Sequence, residues 1–148
     1  MTSEQRKTIW TTACEVRQWL ETMYETKRHD DEWSSDMAGM CAIGSFELLR
    51  RLFLLGIKAR IAYGRYHSFV IYHGYVVDVT ASQFRDSDRP LPDVVIRRLR
   101  DCRKKDLWFW SDFKHTFSFP DKQGISKAFL NWPRTQRPLM KEAYRNRE

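Results

Sequence analysis

The feature that most constrains this chain is the run Cys41–Leu55, CAIGSFELLRRLFLL, whose apolar residues cover most of a helix circumference. Its charges, Glu47, Arg50 and Arg51, fall near one arc. A helix apolar on most sides is buried on most sides, so the fold must wrap around it. Gly56 follows as a C′ residue, the position where a left-handed conformation ends a helix. What surrounds the run is then set by its neighbours. From Ser3 to about Lys27, Ile9, Ala13, Val16, Trp19 or Leu20, and Met23 recur at helical spacing, with Ser3 as the expected cap.

After Gly56 the period changes. Lys58–Tyr63 alternates, Gly64 breaks it, and His67–Tyr72 and Tyr75–Thr80 flank the pair His73-Gly74, a two-residue hairpin turn. ASQF leaves the sheet, and Arg85–Pro92 reads as a charged surface loop. Asp93 is expected to cap a short basic helix running to Arg103, with Val94, Val95, Leu99 and Cys102 inward. Leu107–Phe119 is expected to add one or two strands, and the basic stretch from Pro133 a short or frayed, flexible terminal helix. The order gives an α+β fold in one domain, residues 1–148, since 148 residues do not build two cores readily.

Charge is uneven. Residues 1–84 hold 10 Lys/Arg against 10 Asp/Glu, and residues 85–148 hold 16 against 9, so the net +7 lies in the second part. That balance favours acidic partners, with a solvated basic surface as the plain alternative. No nucleic-acid recognition motif stands behind it, so nucleic acid is not the expected partner. The apolar residues form no run of about 20 that could span a bilayer, and the start is too polar for a signal peptide. Three cysteines cannot all pair in one chain, which suits a reducing, cytoplasmic setting, although delivery to another cell would leave no mark here. Neither zinc-ligand spacing nor a calcium loop is present, and no cofactor is expected.

Cys41 opens the buried helix. There the helix dipole and unpaired N–H groups favour thiolate and could hold an oxyanion, and Gly39 would admit a substrate backbone. A free cysteine can equally be a small buried hydrophobe. With a His73-Gly74 turn, 67 faces 80 and 69 faces 78, so His67, Phe69, Asp78 and Thr80 share one face. His67 and Asp78 are then diagonal neighbours, and a carboxylate beside an imidazole supports the imidazolium a Cys–His pair needs. A three-residue turn would separate them, and Asp78 or Thr80 could instead cap the ASQF turn.

GMCAIGSFELLRRLFLLGIKARIAYG, Gly39 to Gly64, followed by HSFVIYHGYVVDVT, resembles the core motif of transglutaminase-like proteins within the papain-like superfamily. The resemblance covers about residues 39–84. It implies a buried helix carrying the cysteine, packed on an antiparallel sheet carrying histidine and aspartate. It implies Cys41 as nucleophile, His67 as general base and acid, and Asp78 as the residue orienting His67. Ser-Phe follows His67 where the family usually has a small residue and tryptophan. The ending DVTASQF resembles papain-fold toxins and effector deamidases more than calcium-dependent transglutaminases. The expected activity is cysteine-dependent acyl transfer on an amide of a protein or peptide, by glutamine deamidation or hydrolysis, with transglutamination less favoured. Candidates for a second oxyanion donor are Trp33 and Gln18. Groove walls are expected at residues 28–40, 84–92 and 111–124. The rival is an inactive papain-like module that binds an acidic partner through the basic C-terminal half and Trp108, Phe109, Trp110, Phe113, Phe117 and Phe119.

Overall fold

The computed structural model describes residues 1–27, 40–64, 67–84, 91–102, 108–111, 113 and 115–118. Helix α1 spans Ser3–Lys27 and α2 spans Cys41–Leu54. The strands are β1 (Arg60–Tyr63), β2 (Ser68–Tyr72), β3 (Tyr75–Asp78), β4 (Val95–Arg98) and β5 (His115–Phe117). A short α3 (Trp108–Ser111) precedes β5, and 3-10 turns cover Ala81–Phe84 and Leu99–Cys102. The class is α+β, with one antiparallel sheet in the order β4-β3-β2-β1-β5. None of the described helices is long and apolar enough to cross a membrane.

Local chemistry explains the helix ends. The cap of α1 is Thr2 and not Ser3: the Gln5 N–H donates to Thr2 Oγ1 at 3.1 Å and the Thr2 N–H donates to Gln5 Oε1 at 2.9 Å. This reciprocal pair satisfies two N–H donors at the helix start, and the T-x-x-Q spacing was readable in the chain. At the end of α2, Gly56 sits at φ +79°, its N–H bonded to the Phe53 carbonyl and that of Ile57 to the Leu52 carbonyl, both at 2.9 Å. That is the paired closure a glycine at C′ permits.

The sheet is covered on both faces. Ile61, Tyr63, Val70, Tyr72, Val77 and Val79 turn to α1 and α2, meeting Ile9, Val16, Leu20, Ile43, Leu48 and Leu52. The alternate residues Ala62, Phe69, Val76 and Val95 turn the other way and pack with Ala81, Cys102, Phe109 and Trp110. Phe109 and Trp110 therefore complete a core and are closed to a partner, whereas nothing is described of the side chains of Trp108 and Phe117 or of Phe119.

The hairpin register is the expected one. Tyr72 pairs Tyr75 and Val70 pairs Val77 across His73 (φ 46°) and Gly74 (φ 76°), two left-handed residues as a type I′ turn requires. The basic helix expected after Asp93 is instead β4, which pairs Val95 with Asp78 and Arg98 with Tyr75. The β-branched residues Val94, Val95 and Ile96 suit a strand, and the open edge of β3 supplies the partner that local sequence cannot display. Val94, Val95 and Cys102 are buried as expected. Leu107–Phe119 yields α3 and β5, while Arg85–Pro90 and the segment from Pro133 lie outside the described residues.

Two contacts press the elements together around the site. Gly44, one turn into α2, lies so close to its neighbours that an added Cβ would meet Leu20 Cδ1 at 2.7 Å and Val79 Cγ2 at 2.9 Å. Only a residue without a side chain lets α2 sit that tightly against α1 and the end of β3. Arg17, 7% exposed, reaches from α1 to the Val79 carbonyl (3.0 Å), Ser82 Oγ (2.8 Å), the Asp93 carbonyl (3.3 Å) and the Asp93 carboxylate (3.3 Å), with Glu21 at 2.9 Å. A buried guanidinium is tolerated when its donors are filled in this way.

Candidate active site

Three elements converge on the cysteine. Cys41 is the first residue of α2, after Met40, whose side chain offers no cap to the helix N–H groups. His67 stands just before β2 and Asp78 closes β3, on the face predicted from the two-residue turn. All three are buried.

The imidazole lies between two partners. His67 Nε2–H donates to Asp78 Oδ2 at 2.6 Å, short enough for a charge-assisted bond, and the ring also lies within reach of the Cys41 thiol. Burial alone would pull the histidine down, but the charge and hydrogen bond of Asp78, helped by Cys41, push it up to about 10. Burial would likewise push the thiol up. The hydrogen bond and charge of His67, with the backbone and side chain of Ser68, outweigh that and hold Cys41 below its ordinary 9.0. For Asp78 burial again acts upward, and His67, Trp110 and the Thr80 N–H hold it below 3.8. The directions agree with one another: each shift favours the charged form, thiolate, imidazolium and carboxylate alike.

Asp78 is saturated. Oδ2 accepts from Trp110 Nε1–H at 2.7 Å as well as from His67, and Oδ1 accepts from the Thr80 N–H at 2.8 Å and Thr80 Oγ1–H at 3.3 Å. The two roles open in the sequence, orienting the histidine and capping the following turn, are both filled, one by each oxygen. Trp110 is fully buried, and a buried indole N–H needs an acceptor. That requirement was the available clue to Trp110, although its sequence distance from Asp78 gave no hint of the match.

Gln83 contacts the other ring nitrogen, its Nε2 3.2 Å from His67 Nδ1. With Nε2–H committed to Asp78, Nδ1 is the atom free to take a proton from the thiol. An amide presents either a donor or, turned over, an acceptor, so Gln83 can follow both states of the ring. Its place in ASQF, one turn beyond Asp78, was the only sequence sign of it. Ser68 was also missed. Its backbone N–H faces the sulfur; its Oγ also favours the thiolate but makes no hydrogen bond of full geometry among the described residues, so it acts as a nearby dipole. Ring contacts shield the pair: Phe84 and Phe109 lie edge-on to His67 at 4.9 and 6.1 Å, and Phe69 stacks on it at 5.9 Å. Such a wall lowers the local dielectric and strengthens each charge contact inside it.

Of the two sequence candidates for a second oxyanion donor, Gln18 is not brought to the cysteine. Gln18 is exposed on α1, its side chain absent from the contacts of Cys41, His67 and Asp78, and Trp33 lies outside the described residues. The expected groove walls also fall largely outside them. Among the described residues no group of three or more His, Cys, Asp or Glu could hold a metal ion. The other thiols differ in kind: burial raises Cys102 to about 11, and Cys14 is also raised, by burial and by the nearby Glu15.

The site thus sets a cysteine, a histidine and a carboxylate in series. Comparison with known proteins adds no nearer relation, since no family model, curated protein or solved structure matches this chain.

Proposed function

We propose that this chain is a cysteine-dependent amidohydrolase acting on a protein or peptide. The observation that carries the reading is the buried His67, hydrogen-bonded to Asp78 and set against the Cys41 thiol, whose pKa it lowers. His67 Nδ1 takes the thiol proton, and Cys41 Sγ attacks the amide carbonyl carbon. The tetrahedral oxyanion rests on the Cys41 backbone N–H and a second donor, for which Trp33 is the remaining sequence candidate. The imidazolium protonates the leaving nitrogen, the C–N bond breaks, and a thioester remains. Water, deprotonated by His67, attacks the thioester, and the thiolate leaves to give a carboxylate. On a glutamine side chain the leaving group is ammonia; on a peptide bond it is an amine. The likeness of DVTASQF to effector deamidases supports the first, and water is favoured over an amine as acceptor.

The test is alkylation of each cysteine against pH, followed by mass spectrometry, in the wild type and His67→Ala. Cys41 is expected to react well below pH 9 and to lose that reactivity in His67→Ala, with Cys14 and Cys102 as slow internal references. Ammonia released from glutamine-bearing proteins, and abolished by Cys41→Ala, separates deamidation from hydrolysis. A Cys41 no faster than Cys102 removes the ion pair and the reading with it. A Cys41→Ala protein that keeps its full biological effect favours the binding module.

A further inference from the structure

The β2–β3 hairpin has a second end, at its turn. There His73, Gly74, Tyr75, Arg98, Leu99 and Arg100 line an open cleft of about 470 Å3. The Leu99 N–H bonds the Gly74 carbonyl at 2.8 Å and ties its two walls together. Tyr75 lies opposite Arg98 in the β3–β4 register. The guanidinium of Arg6, from α1, sits 5.6 Å from the Tyr75 ring centre, and that of Arg98 5.9 Å. Arg98 Nε–H also donates to Tyr75 Oη at 3.2 Å. Arg100 adds its charge, and the Tyr75 phenol is held below its ordinary 10, first by the Arg98 hydrogen bond and then by the three charges.

These arginines differ from those that hold the fold. Arg17 meets Glu21 and Asp93, and Arg50 and Arg51 meet the buried Glu47 at 3.2 and 2.6 Å. Around Tyr75 the recorded carboxylate, among the described residues, is Asp101, 3.8 Å from Arg100 Nε, with both side chains more than half exposed. Two guanidiniums share one aromatic ring and a third charge stands near it, with a single loose counter-charge among the described residues. Arg98 spends its Nε on Tyr75 and keeps both Nη ends for an acceptor, and a guanidinium lying over a ring presents its edge outward. The patch is compact, unlike the basic stripe that tracks a nucleic-acid backbone. Its floor of Tyr75 and half-buried Leu99 suits an apolar side chain between acidic ones.

We propose that this cleft docks an acidic peptide segment of a protein partner, its carboxylates paired to Arg6, Arg98 and Arg100 and an apolar side chain laid over Leu99. The site is separate from Cys41 and stands whether or not Cys41 turns over a substrate.

The experiment is fluorescence anisotropy with a short fluorescein-labelled peptide of Glu and Leu, titrated with the full chain. Binding is expected to saturate, to weaken as salt rises, and to fall at least about tenfold in Arg98→Glu. The reference is Thr11→Glu/Thr22→Glu, which removes the same net charge from exposed positions of α1 outside the cleft. It is expected to change affinity less than about twofold, as diffuse charge does. Circular dichroism and the Cys41 alkylation rate, both unchanged in Arg98→Glu, show that the fold survives; Arg6→Glu repeats the test from α1. Equal losses in the cleft and reference variants mean non-specific attraction and overturn the proposal. A single-stranded oligonucleotide or phosphatidylserine vesicles that bind more tightly than the peptide, and are the ligands Arg98→Glu releases, overturn it as well.

Discussion

The two ends of one hairpin treat charge in opposite ways. At the Asp78 end, a carboxylate 1% exposed has both oxygens filled by four donors, and each member of the site shifts its pKa to suit the next. At the Tyr75 end, exposed guanidiniums crowd a half-buried ring and await an acceptor. The distance between them is short: three residues of strand, or about 10 Å. Buried charge must be answered within the protein because water cannot answer it, whereas exposed charge can stay open for a ligand. The first kind fixes geometry and the second leaves affinity to be supplied from outside.

The contrast breaks most sharply at Asp78. Asp78→Ala leaves a buried imidazole and the Trp110 N–H without their acceptor, and is expected to lose about 3–5 kcal/mol in urea unfolding together with the low-pH reactivity of Cys41. Trp110→Phe keeps the ring and removes one of the four donors. It is expected to lose about 1–3 kcal/mol and to let Asp78 titrate at higher pH, visible in the carboxyl NMR resonance.

The pH dependence follows from the same groups. Asp78 is lowered from 3.8 in the fold, so its contribution is present above that value and lost as pH falls through the folded pKa. His67 is raised from 6.5 to about 10, so its contribution is full below 6.5 and lost as pH rises toward the folded value. A thiol that is lowered offsets part of the second slope, so Cys41→Ala exposes it cleanly. In that background, melting temperature measured against pH is expected to decline above about 6.5, and Cys41→Ala/His67→Ala to decline less. At the small end, Arg98→Ala is expected to leave the melting temperature unmoved while it weakens peptide binding, because nothing buried depends on it. A large drop in melting temperature would put Arg98 with the structural arginines and erase the distinction.

Much of the site was legible because it rests on short-range rules. A left-handed pair at His73-Gly74 fixes the register, the register fixes the face, and the face brings His67 to Asp78. Cys41 was marked by an abrupt change from a polar stretch to an apolar helical run. What escaped depends on contacts remote in sequence. Val95–Arg98 carries the spacing of a basic helix, and only the unpaired edge of β3 makes it a strand. Trp110 looked like one aromatic among several, and its N–H found Asp78 through a core that no local pattern describes. Ser68 acts on the thiol through a backbone N–H, which any residue carries, so its identity gave no signal.

Arg17 carries a last consequence. It is not among the contacts of Cys41, His67 or Asp78, yet it clasps the Val79 carbonyl and Ser82 on the stretch of chain that runs from Asp78 to Gln83. The first helix is therefore a splint on the loop that follows Asp78. A cargo fused to α1, or a force applied along it, would reach His67 through that loop as well as through the core, which makes that helix a mechanical handle on the thiol's reactivity.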